Sequence, residues 1–251
     1  MRRLLVALFL AAAAAPIPGA AAGRAIGLSA SPLRLTLKGA SAAAITVRNP
    51  GRRTLLVDVS RAGFARSLRG KPRVRPAGHV AAWLRLRPKR IRIAPGGKGV
   101  LHVRAAQPRR AGPGDHPGLV LLTTRPLGVH HVRVRMRVGV IVDLRVRGRI
   151  VRRLDPRALE VRRGGNERLL QLRLVNRGNV TERLGGNRLR LALLRNGRTL
   201  AMLRPRRREL LPHSAGLAVF VYRGPVRGTV LARIELRPLG RSHLRAFWIR
   251  L

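Results

Sequence analysis

The sequence predicts an all-β protein with two consecutive immunoglobulin-like β-sandwich domains after a cleaved signal peptide. Three observations lead to this prediction. Short extended segments with alternating apolar residues recur along the chain, and turns rich in Gly and Pro separate them. No amphipathic helical pattern interrupts these segments. The order of three segments in the first half returns in the second half, which favours two copies of one architecture.

The amino-terminal segment, residues 1–22, has the features of a secretory signal peptide. Arg2 and Arg3 precede an apolar run from Leu4 to Ala15, and small residues follow that run. The run is shorter than the ~20 apolar residues that a membrane-spanning helix needs, so we expect cleavage rather than anchoring. No later segment is long and apolar enough to cross a bilayer. We therefore expect a secreted, extracytoplasmic protein of the cell envelope or cell surface, without an integral membrane segment in the mature chain.

We place the first domain at residues 23–148. Pro32 interrupts an extended segment near its start, which suits an edge strand because a missing backbone donor is tolerated there. The stretch from Ile93 to Pro126 contains two extended segments separated by Pro and Gly residues. We interpret these segments as two antiparallel strands of one hairpin-like unit.

The longest strand signal runs from Val132 to Arg147. Every even-numbered position from 132 to 146 is apolar, and most odd-numbered positions are Arg. A period of two predicts a strand with one buried face, and we expect its arginines to form a ridge on the other face. Residues 149–155 lack sustained periodicity and lead into an Asp-Pro turn, so we place the linker there and the second domain at residues 156–251.

The two halves of the chain match in three segments that occur in the same order. The matched pairs are ITVRNPG (residues 45–51) with LRLVNRG (172–178), IAPGGKGVLHVR (93–104) with LLPHSAGLAVFVYR (210–223), and GPGDHPGLVLLTTRP (112–126) with GPVRGTVLARIELRP (224–238). In the second half, Asn196 and Gly197 lie between two apolar runs. This dipeptide is the strongest short-range signal for a β-hairpin.

The chain carries 54 Lys and Arg residues against nine Asp and Glu, a formal net charge of +45 at pH 7. Such an excess favours an anionic partner. Only four of the basic residues are lysines, and a GC-rich coding sequence also produces an Arg-rich chain with abundant Ala, Gly and Pro. The excess therefore has two explanations, genomic bias on solvent-facing positions or a selected polyanion surface. The export signal and an aromatic content of 3% argue against a nucleic-acid partner.

No catalytic constellation is recognisable, and cysteine is absent, which excludes disulfides, thiolate ligands and a thiol nucleophile. Two local clusters contain candidate metal ligands, Asp115 with His116 and His130 with His131. We interpret Asp115 as a turn residue that bonds its own backbone, and alternation sends the two neighbouring histidines to opposite faces. The sequence from Asn179 to Thr181 matches the acceptor pattern for N-glycosylation, although an ordinary loop is the simpler interpretation. We predict a protein that is not an enzyme and holds no metal or cofactor.

The segments SPLRLTL, TVRNPG, IRIAPGGKGVLHVR and PGDHPGLVLLTT lie within residues 27–147. This part of the chain resembles the immunoglobulin-like, peptidoglycan-binding domain of the WxL-interacting proteins of bacterial cell surfaces. That family is itself related in shape to the periplasmic pilus chaperones. The resemblance implies a non-enzymatic envelope module that holds cell-wall polymer or another surface protein. The second domain corresponds to the partner-binding domain of that family in position only.

Two functions follow as expectations. The first is a cell-envelope module that holds anionic cell-wall polymer or a surface protein through Arg-bearing strand faces. Its expected binding residues are Arg34, Arg133, Arg135, Arg137 and Arg145. The second is an extracytoplasmic assembly chaperone that captures a subunit by strand addition. The likeness to chaperones implies that Arg34 anchors a subunit carboxylate with Arg137 as its partner. The sequence leaves the ligand and the oligomeric state open.

Overall fold

The structure is a computed structural model that describes residues 27–129, 132–185, 188–236 and 243–251. Strands dominate these residues, and the helix α1 (His79–Ala82) is a single turn. Two groups of sheets each enclose an apolar core, which confirms the predicted fold of two immunoglobulin-like β-sandwich domains. Within the described parts of the chain, no helix is long and apolar enough to cross a membrane. The signal peptide lies outside them, and the domain boundaries stay a prediction.

The first sandwich is formed by strands between residues 29 and 146. They are β1 (Ser29–Ser31), β2 (Arg34–Lys38), β3 (Ala42–Arg48), β4 (Leu55–Arg66), β5 (Pro72–Arg75), β6 (Leu84–Arg87), β7 (Arg90–Ile93), β8 (Lys98–Ala105), β9 (Gly114–Thr124), β10 (Leu127–Val129), β11 (Val132–Val134) and β12 (Arg137–Val146). One sheet has the order β1-β3-β8-β6, and the other has the order β2-β12-β9-β4-β5 with β7 also paired to β4. The strands β10 and β11 form a separate ribbon.

Alternating apolar residues close the two sheets on one core. In β12, Val140, Val142 and Leu144 are almost completely buried, and they share one cluster with Ile45 and Leu101 of the facing sheet. Each fully buried Leu or Ile side chain contributes about 1.5–3 kcal/mol to folding. The predicted strand from residue 132 to 147 is thus confirmed in its second half, but a break after β11 divides it into two strands.

The first two strands, on either side of Pro32, belong to different sheets of the first sandwich. The strand β1 pairs antiparallel with β3, and β2 then pairs parallel with β12 in the other sheet. Pro32 lies between these two strands, where it interrupts no ladder, which agrees with its predicted place at a sheet edge.

The predicted hairpin-like unit from Ile93 to Pro126 is wrong. Its extended segments form β8 and β9, which lie in different sheets: β8 pairs with β3 and β6, whereas β9 pairs with β12 and β4. Alternation identifies the buried face of each strand, and that face is satisfied in either sheet of a sandwich. The connection through residues 106–113 therefore crosses from one sheet to the other rather than forming a tight turn.

The second sandwich is formed by strands between residues 154 and 250. They are β13 (Leu154–Gly164), β14 (Glu167–Asn176), β15 (Glu182–Leu184), β16 (Leu189–Arg195), β17 (Arg198–Leu203), β18 (Arg208–Leu210), β19 (Ala215–Tyr222), β20 (Thr229–Leu236) and β21 (His243–Arg250). The sheets β13-β14-β19 and β17-β16-β20-β21 enclose a core centred on Phe220, and β15 pairs with β18 as a ribbon. Asn196 and Gly197 have φ values of 48° and 77°, which confirms the predicted hairpin between β16 and β17.

The structure also confirms that the two halves repeat. Asn49 directly follows β3 and Asn176 ends the corresponding strand β14, and both side chains are buried. Gly96 and His213, each directly after the matched proline, both have positive φ, 67° and 50°. The repeat thus extends from the apolar pattern to the backbone conformation of individual turn residues.

Candidate functional site

The outer edge of β12 is covered by another strand over only part of its length. β2 pairs with residues 141–145 of β12, and none of the described strands pairs this edge at residues 137–140, which we call the open edge. The N–H of Ile141 donates to the carbonyl of Leu33 at 3.0 Å, so it points to this outer side. Because alternate residues of a strand direct their backbone groups to the same side, Gly139 presents its N–H and C=O to the open edge.

The apolar side chains beside the open edge are incompletely covered. Met136 and Val138 are half-buried and pack against the margin of the first core, whereas Val140 is completely buried. Leu33, next to the same edge, is 58% exposed. An added strand with alternating apolar residues would satisfy the open backbone groups and remove this apolar surface from water.

The two domains meet across the outer face of the sheet that contains β4, β9 and β12. Leu211 of the second domain packs in one apolar cluster with Phe64, Leu119 and Leu121 of the first domain. The N–H of Leu217 also donates to the carbonyl of Leu68 at 2.9 Å. Apolar packing and backbone hydrogen bonds therefore both join the domains at this junction.

Asp115 is part of the junction, and its predicted role as a turn residue that bonds its own backbone is wrong. It lies in β9, is only 7% exposed, and its carboxylate forms an ion pair with Arg145. The same carboxylate accepts the N–H of Thr181 at 2.8 Å, while the Asp115 N–H donates to the carbonyl of Asn179 at 2.8 Å. The flanking Gly and Pro residues imitate a turn signal, but pairing with β12 keeps this segment extended.

Arg34 lies at the same junction, and two carboxylates of this chain already bind its guanidinium. Its Nε donates to Asp143 at 2.6 Å and its Nη1 donates to Glu209 at 2.6 Å. Glu209 also accepts from Arg66 at 3.1 Å. Arg34 therefore links the first-domain strand β2 to the second-domain strand β18, and it is not a free anchor for a carboxylate from outside.

The pKa values of the two carboxyl groups that bind Arg34, those of Asp143 and Glu209, shift in opposite directions. Burial raises the pKa of Asp143 above its usual value, although Arg34 acts in the other direction. Burial also opposes ionisation of Glu209, but the hydrogen bond and charge of Arg34, with Arg66 and Arg183, outweigh it and lower the pKa. Glu209 is thus held as a carboxylate, whereas Asp143 is the less stable anion of the pair.

The remaining predicted binding arginines lie away from Arg34 and Arg145. Arg133 and Arg135 are exposed in and after β11, and Arg137 donates to the hydroxyl of Thr123 at 3.3 Å. Eight residues separate Arg137 from Arg145, about 26 Å along an extended strand. The expected ridge is therefore divided between the open edge and the junction, and the implied pairing of Arg34 with Arg137 stays a prediction. A binding role for these arginines stays a prediction.

The histidine clusters gain no support as metal ligands. His130 and His131 lie outside the described residues. The ring of His116 contacts that of Trp83 with centroids 5.0 Å apart, and its Nε2 lies 2.7 Å from the carbonyl oxygen of Gly112. Within the part of the chain that the structure describes, no group of three or more His, Cys, Asp or Glu residues is placed to hold a metal ion.

Sequence reasoning missed the residues that join the domains. Asn179 donates from its side chain to the carbonyls of Pro113 and Arg149, both at 2.9 Å. Glu182 is 3% exposed and pairs with Arg152 at 2.9 Å. One signal was present: in a chain with only nine acidic residues, a carboxylate inside a strand is costly to bury unless a cation faces it.

The fold is similar to that of two solved chaperone structures. One is a chain from work on the chaperone–tip adhesin complex in CFA/I fimbriae biogenesis, with a TM-score of 0.52 and 9% identity, covering 89% of this chain and 98% of that chain. The other is the class 5 fimbriae chaperone CfaA, with a TM-score of 0.51, 9% identity and coverage of 89% and 98%.

At this identity the likeness shows the fold alone. It confirms the two-domain immunoglobulin-like architecture and the relation in shape to pilus chaperones. No protein-family model and no curated protein matches the sequence. Membership of the WxL-interacting protein family therefore stays a prediction.

Proposed function

We propose that this protein is an extracytoplasmic assembly chaperone that captures a partner protein by adding a strand of that partner to the open edge of β12. The observation that carries the proposal is the uncovered backbone at residues 137–140 beside the half-buried side chains of Met136 and Val138. Unpaired strand edges promote association, and folded proteins normally protect them. A partner strand would complete the sheet here in the manner of strand addition.

The fold likeness to fimbrial chaperones supports this proposal as an analogy, because function resides in the site rather than in the fold. The analogy does not extend to Arg34 as the anchor for a carboxylate of the partner. Arg34 is already bound by Asp143 and Glu209, so we propose that capture depends on the strand edge and not on a terminal carboxylate of the partner.

Binding of anionic cell-wall polymer is the second candidate function. The exposed side chains of Arg133, Arg135 and Arg137 beside β11 and the open edge favour it. Such binding depends on exposed charges, which are screened over about 8 Å at physiological ionic strength. Strand addition depends on hydrogen bonds and apolar burial, so the two candidates differ in their salt dependence.

The test uses a fluorescent twelve-residue peptide with alternating Val and Ser, prepared with a free carboxyl terminus or a carboxamide. Fluorescence anisotropy gives the affinity, and amide hydrogen exchange locates the binding surface. We expect both forms to bind with similar affinity and to protect the amide of Gly139. Protection only in the second domain, or loss of binding to the carboxamide form, would contradict the proposal.

Two matched pairs of variants sharpen this test. Met136→Glu places a charge beside the open edge, while Met202→Glu places one on β17, where Met202 is 45% exposed. Gly139→Pro removes a backbone donor from the open edge, and Gly139→Ala keeps it. We expect at least about tenfold weaker peptide binding, or about 1.4 kcal/mol, for the first member of each pair alone. Equal losses in both members would reject the open edge as the binding site.

A further inference from the structure

A cavity at the domain junction shares no lining residue with the open edge. Its volume is about 570 Å³, and both domains contribute to its walls. Arg66 and Arg69 come from the end of β4 and the loop that follows. The second domain adds four more arginines from β15, β18 and their flanking residues. The lining arginines are Arg66, Arg69, Arg183, Arg188, Arg207 and Arg208.

The positive charge of this arginine cavity is poorly compensated. Among the described residues that line it, Glu209 is the one carboxylate, and it is shared by Arg66 at 3.1 Å, Arg183 at 3.6 Å and Arg34. Outside the lining, Glu182 pairs with Arg188 at 3.1 Å. Among the described residues, neither Arg69 nor Arg207 forms an ion pair, and both side chains are exposed. The cavity therefore holds more cationic than anionic groups even when every ion pair on its walls is counted.

Two neighbouring arginines of the cavity, Arg66 and Arg208, show the same excess of positive charge at closer range. The Nε of Arg66 is buried and has no hydrogen-bond partner within the described part of the chain. Arg208 donates to two backbone carbonyls, that of Leu217 at 2.6 Å and that of Leu68 at 3.3 Å. Burial and the neighbouring charge of Arg66 lower the pKa of Arg208. Among the described residues, Glu209 thus pairs with Arg66 but not with Arg208, whose guanidinium is held beside that of Arg66 by backbone carbonyls alone.

We propose that the arginine cavity binds a linear phosphate anion with two or more phosphate groups. A guanidinium group presents paired donors that match the oxygens of a phosphate. Groups on opposite domains, Arg69 and Arg207 among them, require an anion with several charges rather than a single carboxylate. The volume of about 570 Å³ also exceeds what one orthophosphate ion needs. This inference is independent of the proposed function, because the cavity and the open edge use different residues.

The experiment is isothermal titration calorimetry of the mature chain with tripolyphosphate, pyrophosphate, orthophosphate and citrate at about 50 mM salt. We expect one tripolyphosphate per chain, with at least about tenfold weaker binding of orthophosphate and citrate. Equal affinity for citrate, or several tripolyphosphate ions per chain, would show unspecific attraction to a cationic protein and overturn the proposal. Absence of tripolyphosphate binding would also overturn it.

Charge-matched variants separate the cavity from the overall charge. The double variant Arg69→Gln/Arg207→Gln removes two exposed cavity arginines, and Arg85→Gln/Arg92→Gln removes two exposed arginines of β6 and β7. We expect at least about tenfold weaker tripolyphosphate binding in the first variant and less than about twofold in the second. Equal weakening in both would reject the cavity.

A ligand that bridges both domains also raises the unfolding temperature, because it binds only the folded state. We expect tripolyphosphate to raise the Tm of the wild type and of Arg85→Gln/Arg92→Gln, but not that of the cavity variant. The Tm of the single variants Arg69→Gln and Arg207→Gln is measured with and without tripolyphosphate as well. If the double variant folds poorly, the single variants still provide the test. A Tm increase retained in both single variants and in the double variant would overturn the proposal.

Discussion

Asn49 and Asn176 make the same set of hydrogen bonds in the two halves of the chain. The amide of Asn49 donates to the carbonyls of Arg53, Ile93 and Ala94, and its Oδ1 accepts the N–H of Gly51. The amide of Asn176 donates to the carbonyls at positions 180, 210 and 211, and its Oδ1 accepts the N–H at position 178. Each asparagine thus fastens the end of one strand to the turn that follows a distant strand.

We expect Asn176→Ala to destabilise the protein by about 3 kcal/mol, because it leaves several buried backbone groups without a partner. Asn49→Ala should have a similar cost in the first domain. Urea unfolding followed by circular dichroism measures both. Asn166→Ala, in the exposed turn between β13 and β14, is the control and should change the unfolding free energy by less than about 0.5 kcal/mol. A cost for Asn176→Ala as small as that of the control would contradict the role assigned to this amide.

We expect Gly114→Ala to loosen the domain junction. Gly114 has a φ of 121°, and an added Cβ would overlap the backbone carbonyl of Asn179 in the other domain. Gly39 also has a positive φ, 61°, but no atom lies within 4 Å of its added Cβ, so Gly39→Ala reports backbone strain alone. The expected costs are about 1 kcal/mol for Gly39→Ala and at least about 2 kcal/mol more for Gly114→Ala. Thermal unfolding and limited proteolysis near residue 150 compare the two, and equal costs would show that the junction tolerates the extra carbon.

We expect His213→Asn to stabilise the protein by about 0.5 kcal/mol. His213 is exposed and has a φ of 50°, a conformation that asparagine adopts more readily than histidine. Its counterpart in the first domain is Gly96, which has no such strain. The unfolding free energy of His102→Asn, in the exposed face of β8, provides the comparison and should not increase. A decrease for His213→Asn would indicate that the imidazole makes a contact worth more than the strain.

The lowered pKa of Glu209 predicts a loss of stability in acid. Its contribution is complete above its usual pKa of 4.5 and disappears as the pH falls through the lower value of the folded state. Asp143 acts in the opposite sense, because its raised pKa favours the protonated folded state. We expect acidification from about pH 5 to about pH 3 to cost the wild type more unfolding free energy than Glu209→Gln.

Urea unfolding across this pH range measures that difference, with Glu160→Gln as the control, since the Glu160 side chain is 65% exposed. The control should follow the wild-type profile. Parallel profiles for the wild type and Glu209→Gln would mean that the ion pairs with Arg34 and Arg66 contribute no stability that depends on pH.

The sequence predicts strands better than it predicts their partners. Alternation from Val132 onward identifies the buried face of β12, and Asn196 with Gly197 identifies a hairpin, because both signals are local. The same logic fails between Ile93 and Pro126, since two strands of opposite sheets share the alternation that a hairpin would have. Strand order depends on packing between residues that are far apart in the sequence. The pattern of one short segment does not indicate which strand it pairs with.

The junction was still harder to predict, because its residues imitate ordinary turn chemistry. Asp115 is surrounded by Gly and Pro residues, and its long-range contacts with Arg145 and Thr181 leave no local trace. The likeness to chaperones implied that Arg34 is significant, but its carboxylate partner Glu209 is 175 residues away. Among so many arginines, the sequence does not indicate which of them find an acid within the chain.

Asn179 shows what this geometry means for chemical modification. The sequence from Asn179 to Thr181 satisfies the acceptor pattern for N-glycosylation, and the modified atom would be the side-chain nitrogen. That nitrogen already donates to the carbonyls of Pro113 and Arg149 in the folded chain. A glycan replaces one hydrogen of this nitrogen, so at least one of these two hydrogen bonds would be lost in a glycosylated chain. Material produced in a glycosylating host should therefore have a weaker domain junction than unmodified material.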